Sequence, residues 1–261
     1  MSSTPRTLSA LARTGLLAWA VVHLTLAWIC LQLAFGERGG AADQSGALAT
    51  LAANPGGSVL LGLLAVGLAG FAAWQVTEVV RGHTERSAGV ERVAYRVVSG
   101  GRAVLFGALA VTAARFALGA GQSSAAQQRS ATAELLGLPG GQLLVGAIGA
   151  VVVVIGAVLV YRGATRRFRE HLGAMPAEVR HPAEVLGLVG YCAKGVVLGV
   201  AGGLVIAAAV TFDPDKSRGL DAALKTLGGQ PFGKGLLVAV AAGLACFGVY
   251  SVVDARYRRI G

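Results

Sequence analysis

Six stretches of the chain are almost unbroken in apolar residues: Thr14–Phe35, Gly57–Val80, Ala103–Gly119, Gly141–Tyr161, Leu186–Thr211 and Gly235–Val253. A helix rises about 1.5 Å per residue, so roughly 20 apolar residues cross a hydrocarbon core about 30 Å thick. The pattern therefore predicts an all-α, polytopic membrane protein with six transmembrane helices. The third stretch is short and carries Arg115 near its end. The first follows Arg6 and Arg13 and has the outline of a signal sequence, but it is too long for one and lacks a small-x-small exit, so it is read as a retained span.

The spans come in pairs, and the pairs repeat. Three similar turns precede the even spans: Pro55-Gly56-Gly57, Pro139-Gly140-Gly141 and Pro231-Phe232-Gly233. Each proline lies 40 or 41 residues after an equivalent point at the start of the odd span, namely Gly15, Val98 and Gly190. Four residues before the prolines stand Leu51, Leu135 and Leu227; nineteen after them stand Trp74, Val158 and Tyr250; twenty-three after them stand Glu78, Arg162 and Asp254. Constant spacing across three copies defines a repeat. The copies occupy residues 1–90, 91–180 and 181–261. Short helical stretches before the prolines, Gly46–Ala53, Ala131–Leu136 and Leu220–Leu227, are expected to lie flat at the membrane surface, the third capped by Asp221. Each copy crosses twice, so the copies are parallel, which implies a pseudo-threefold axis along the membrane normal.

Charge then sets the orientation. Sixteen of the 23 Lys and Arg residues fall in the N-terminus, the second and fourth loops, the C-terminus and the adjoining span ends. Six fall on the other side: Arg38, Arg129, Lys216, Arg218, Lys225 and Lys234. The positive-inside rule makes both termini cytoplasmic in a bacterial cell membrane. The net charge of +10 is thus topological, suited to anionic lipid headgroups on the cytoplasmic side rather than to nucleic acid. With 54% hydrophobic and 14% charged residues, the composition excludes an ordinary soluble globule.

The third copy reads Val189-Gly190-Tyr191-Cys192-Ala193-Lys194-Gly195, then Thr211-Phe212-Asp213-Pro214, then Gly219-Leu220-Asp221-Ala222-Ala223-Leu224, then Gln230-Pro231-Phe232-Gly233. These segments resemble the domain of unknown function 1206 family of bacterial, largely actinobacterial, membrane proteins, which carry three such two-helix units. The resemblance extends to the first copy at Gly46-Ala47-Leu48-Ala49-Thr50-Leu51 and thins in the second, where Arg162 replaces the even-span acid. It implies the architecture and brings no catalytic residue and no cofactor.

One stripe of side chains stands out as a candidate site. Gly67, Phe71, Trp74 and Glu78 share a helix face, and Gly243, Phe247, Tyr250 and Asp254 repeat it. At the matching starts of the odd spans stand Trp19, Arg102 and Lys194. Lys194 is placed to pair with Asp254, and Arg102 to reach an acid of a neighbouring copy. This is either a charged cytoplasmic mouth around the axis or a belt of aromatic anchors and snorkelling charges. Arg115 either binds an anion or snorkels outward. His23, alone in its span, is a proton relay or metal ligand or, more plainly, a satisfied core residue. Gly195, Gly199 and Gly203 form a small-residue stripe expected to meet another helix closely, in this chain or another. Cys30, Cys192 and Cys246 sit in or beside apolar runs without metal or disulfide spacing. Asp213, Asp215, Ser217 and Asp221 fail the EF-hand spacing, with Arg218 and Leu224 at its Gly and Glu positions, and read as turn and cap residues.

No nucleotide, metal or nucleophile motif emerges, so no enzyme is expected. The favoured expectation is a non-enzymatic scaffold or accessory membrane protein, acting with a membrane-protein partner or as a homo-oligomer. The alternative is a transporter or channel for a small solute, ion or lipid along the pseudo-threefold axis.

Overall fold

The computed structural model describes residues 6–36, 41, 43–81, 90–217 and 219–258. Arg38 and Arg218, assigned to one membrane side above, lie outside these, as do Arg86 and Arg259 among the sixteen basic residues of the other side. The described residues form α1 (Arg6–Ala34), α2 (Gln44–Ala52), α3 (Gly57–Arg81), α4 (Val90–Ala117), α5 (Ser124–Leu136), α6 (Gly141–Ala164), α7 (Ala177–Thr211), α8 (Gly219–Gly228) and α9 (Gly233–Tyr257). Six helices are long, and five of them, all but α4, are long and apolar enough to cross a membrane. The fourth helix has the length but carries Arg92, Arg96, Arg102 and Arg115 along it.

Several helices outrun their apolar stretches. Two of them, α4 and α7, begin at Val90 and Ala177, well before Ala103 and Leu186. Hydropathy reports only the part suited to lipid, whereas backbone hydrogen bonding continues into water. The α5 helix likewise starts at Ser124, not Ala131, because the Ser123 hydroxyl accepts a hydrogen bond from the Ala126 N–H and caps it. Asp221 is not the cap of α8. It lies inside the first turn, buried, and accepts from the Lys225 ammonium at 2.8 Å.

The three Pro-containing turns share one geometry. The N–H of Gly57, Gly141 and Gly233 donates to the carbonyl three residues back, at Asn54, Leu138 and Gln230, over 2.7–2.9 Å. Each proline is exposed and occupies the second position of a four-residue turn. The third position is left-handed: Gly56 and Gly140 at φ +76° and +75°, and Phe232 at +65°. This is the type II turn, with Pro pre-setting its corner. Proline thus precedes each even helix as a turn former rather than occupying its first position. The glycine that follows is required by space, since a Cβ on Gly57, Gly141 or Gly233 would lie within 2 Å of the carbonyl oxygen of Leu51, Leu135 or Gly228.

Between copies, the even helix packs on the odd helix of the next: α3 on α4, α6 on α7, and α9 back on α1. Within copies, α1 packs on α3 and α7 on α9. The second copy has no comparable packing of α4 on α6. The long helices therefore form a run α4–α3–α1–α9–α7–α6 that begins and ends on the two helices of one hairpin. Only 17% of the apolar window of α6 is buried, against 44% in α3 and in α9. At the Pro-Gly end, the Ser124 N–H donates to Ser45 Oγ at 2.9 Å and Arg129 pairs with Asp215, tying α5 to the neighbouring copies.

The tightest interface, α6 on α7, runs on glycines. A Cβ on Gly156 would lie 2.7 Å from the Gly195 carbonyl oxygen and 2.8 Å from Gly199 N. A Cβ on Gly202 would lie 2.7 Å from Val153 N. Gly199 and Gly203 instead direct that position into open space. The contact face is thus set by Gly195 and Gly202, with Gly149, Gly156 and Gly163 opposite, and not by the four-residue stripe expected above. Helices crossing at a shallow angle meet every two turns, so their contacts recur every seven residues.

Candidate functional site

The middle of the helix assembly is filled by rings from four helices. Trp19 and His23 come from α1, Phe71 from α3, Phe106 from α4 and Phe247 from α9. Phe71 and Phe106 lie 4.4 Å apart between centroids, and Trp19 lies 5.1 Å from Phe106. The His23 ring lies 4.3 Å from Trp19 and 4.7 Å from Phe247. Its Nδ1 is 2.9 Å from the Trp19 carbonyl oxygen, which can only accept, so Nδ1 carries the proton. His23 is therefore a satisfied core residue.

Lys194, from α7, is held between rings. Its ammonium stands 4.5 Å from the Trp19 centroid and 4.2 Å from the Phe247 centroid. Contacts of this kind supply about 2 kcal/mol or more when water is excluded. The expected Lys194–Asp254 pair is not formed. Asp254 is buried, and its two carboxylate oxygens accept from Arg258 Nη2 at 2.7 Å and Nε at 3.1 Å, one helical turn on. An acid four residues from an arginine on one helix finds that partner locally, whereas Lys194 already has two ring faces. Burial works against the charge of Arg258, but the Asp254 carboxylate outweighs it and holds the guanidinium above its ordinary range.

A cluster of aromatics covers this end of α9. After α6 the chain makes a single 3-10 turn, Arg167–His171, that inserts Phe168 into the end of the assembly. Phe168 is buried, stacks on Tyr191 at 5.4 Å, and meets Tyr250 edge-on at 5.2 Å. The Tyr250 hydroxyl donates to the Phe168 carbonyl at 3.4 Å, and the Gly173 N–H donates to the Tyr257 carbonyl at 2.7 Å. Glu184 pairs with Arg166, Arg169 and Arg180 and holds the same loop down.

The six charges singled out in the sequence thus separate. Arg102 and Tyr191 are each within electrostatic reach of Arg162, Asp254 and Arg258. Lys194 lies within reach of Arg102. Glu78 is half-buried near the end of α3, and Arg115 is exposed in the last turn of α4, at the Pro-Gly end. Arg102 and Arg162 are half-buried, and neither has a hydrogen bond or ion pair among the described residues. Arg258 and Phe168 escaped the sequence reading. The i, i+4 spacing of Asp254 and Arg258 was a legible signal for the first, and nothing in the spacing marks the second.

Comparison with known sequences agrees with the repeat. The family model described as Domain of Unknown Function (DUF1206) matches three times, at residues 14–82, 97–166 and 189–258. The chain is 31% identical over 253 residues, covering 95% of it and 90% of the relative, to a protein of Bacillus subtilis (strain 168) named "Uncharacterized protein YxxB". No solved structure matches.

Proposed function

Taking as premise that this chain belongs to the DUF1206 family, we propose that it is a non-enzymatic accessory or scaffold protein of the bacterial cell membrane. Six helices cross the bilayer, α4 included, with both termini cytoplasmic, and three parallel hairpins surround a pseudo-threefold axis. The partner is a second membrane protein or a second copy of this chain, and anionic headgroups hold the basic cytoplasmic side.

The observation that carries this reading is the filled centre. A solute path near the axis needs polar walls and water, but Trp19, Phe71, Phe106 and Phe247 meet there with Lys194 held between two of the rings. Rings at such separations support a structural core over a conduit.

Two measurements test it. Cysteines at Thr165 and Gln230, both exposed, are expected to react with an impermeant reagent from opposite membrane faces, Thr165 from the cytoplasm. Labelling from one face ends the six-span reading. Tagged protein drawn from native membranes in mild detergent is expected to bring a stoichiometric membrane protein with it or to elute as an oligomer. Elution as a lone chain, together with saturable solute flux in proteoliposomes, would favour the transporter instead.

A further inference from the structure

The second copy is open where the other two are closed. In the first copy Phe71 is buried, and a Cβ on Gly15 would strike it at 2.3 Å. In the third, Phe247 is buried, and a Cβ on Gly190 would lie 2.6 Å from its backbone. The residues of α6 at those even-helix positions, Val151 and Ile155, are 59% and 47% exposed. Positions that face the interior elsewhere are therefore exposed on α6, and no close packing of α4 on α6 covers them.

The two helices carry Arg102 and Arg162 near the same end of the assembly, within electrostatic reach of each other. The equivalent positions in the third copy hold Lys194, covered by rings, and Asp254, neutralised by Arg258. In the second copy both are cationic, each lies in the field of the other, and neither has a partner among the described residues. An exposed apolar helix face that ends at two guanidinium groups, neither of them in an ion pair among the described residues, complements the tails and phosphate of a phospholipid.

We propose that this face binds one anionic phospholipid, its phosphate between Arg102 and Arg162 and its acyl chains along Val151 and Ile155. Guanidinium groups engage phosphate oxygens through paired N–H donors, a geometry that a lone ammonium lacks. Basic pockets between helices at the cytoplasmic face suit such headgroups. A partner helix fits less well. It would have to carry acidic side chains to this depth, which is costly in hydrocarbon, whereas every lipid of the leaflet already has its phosphate at the boundary. With two positive charges on offer, an anionic headgroup is preferred over a zwitterionic one, whose choline or amine would meet the same arginines.

The inference rests on the reading that α4 crosses the bilayer with its Arg102 end cytoplasmic. The test uses the full chain with Ile155→p-benzoylphenylalanine, reconstituted into equimolar phosphatidylglycerol and phosphatidylcholine vesicles, irradiated and weighed by mass spectrometry. Phosphatidylglycerol adducts are expected at least about fivefold above the bulk ratio, since each arginine near an anionic surface favours it by roughly tenfold or less. R102Q/R162Q is expected to return the ratio to bulk, while R102K/R162K retains part of it and R115Q leaves it unchanged. Adducts at the bulk ratio in the otherwise unaltered chain overturn the proposal, whether or not R102Q/R162Q folds. So does loss of the enrichment on adding inorganic phosphate, which assigns the arginines to a free anion, or a protein adduct in native membranes, which assigns the face to a helix. The cysteine labelling described above separates the failures: same-face labelling sinks the six-span reading, whereas correct topology with bulk-ratio adducts sinks the lipid site alone.

Discussion

In the third copy, Gly190 of α7 receives Phe247 of α9, and Gly243 meets Ala193 in return, so the hairpin closes on itself. In the second copy the corresponding residues are Val98, Ile155 and Val151, and α4 and α6 form no comparable interface. Two glycines that allow close approach have become valines, and the aromatic ring that fills the gap has become a shorter aliphatic chain. Both changes act in one direction. Glycine admits a close approach that valine does not, and Val151 and Ile155, both exposed, have no facing helix to fill against. The α6 helix is instead held from the other side, by the glycines that bring it onto α7. The lesson is that a repeat can keep its topology and turns while one copy gives up its internal interface, provided its helices are claimed by neighbouring copies.

The largest expected effect tests that claim. Gly156→Leu drives a side chain into the backbone of Gly195 and Gly199 and should cost about 3 kcal/mol or more, at the upper end for overpacking. Thermal unfolding in detergent reads it. Gly199→Leu, pointing into open space, should change the midpoint little, and equal losses from the two would refute the assignment of the contact face.

Next is conversion of the third copy toward the second. Gly190→Val should cost about 2 kcal/mol, because its Cβ falls within 3 Å of the Phe247 backbone. Gly190→Val combined with Phe247→Ile, both read by thermal unfolding, should not restore the loss, since the closed hairpin needs the ring as well as the gap. Recovery to the parental midpoint would show that the two positions are not coupled as argued.

Asp254→Ala removes the acid that pairs with Arg258 among the described residues and, since the two side chains are only 5% and 12% exposed, should destabilise by roughly 2 kcal/mol even if the arginine swings outward from the helix end. Adding Arg258→Ala should recover part of that, as the stranded charge disappears. Lys194→Ala in place of Arg258→Ala should recover nothing, since Lys194 is held by Trp19 and Phe247 instead. Recovery through Lys194 would reinstate the pairing expected from the sequence.

The smallest effect is on the open copy. Ile155→Phe should shift stability by less than about 0.5 kcal/mol, because the residue stands half exposed where no helix opposes it. A clear gain in unfolding temperature would mean that α4 and α6 close in the membrane.

Six apolar stretches, three spaced turns and the sidedness of the basic residues are properties of the chain taken locally. Span length follows from bilayer thickness, and turn geometry follows from Pro, a left-handed residue and an obligate glycine within four residues. Those features were legible, as was the distinct character of the second copy at Arg162. The exposed face of α6 was also written at Val151 and Ile155, but only the buried counterparts Phe71 and Phe247 give those letters a meaning. What the tertiary structure alone decided is partnership. The chain could offer Lys194 a carboxylate or two ring faces, and could offer Asp254 a lysine on another helix or an arginine on its own. The choice depends on rotation and depth of neighbouring helices to within an ångström or two. Likewise Gly195, Gly199 and Gly203 are equal candidates in the sequence, and only the crossing angle of α6 and α7 selects Gly195 and Gly202 as the surface of contact. Spacing along one helix is fixed by local geometry, whereas facing another helix is a property of two, set by how closely their side chains allow them to approach.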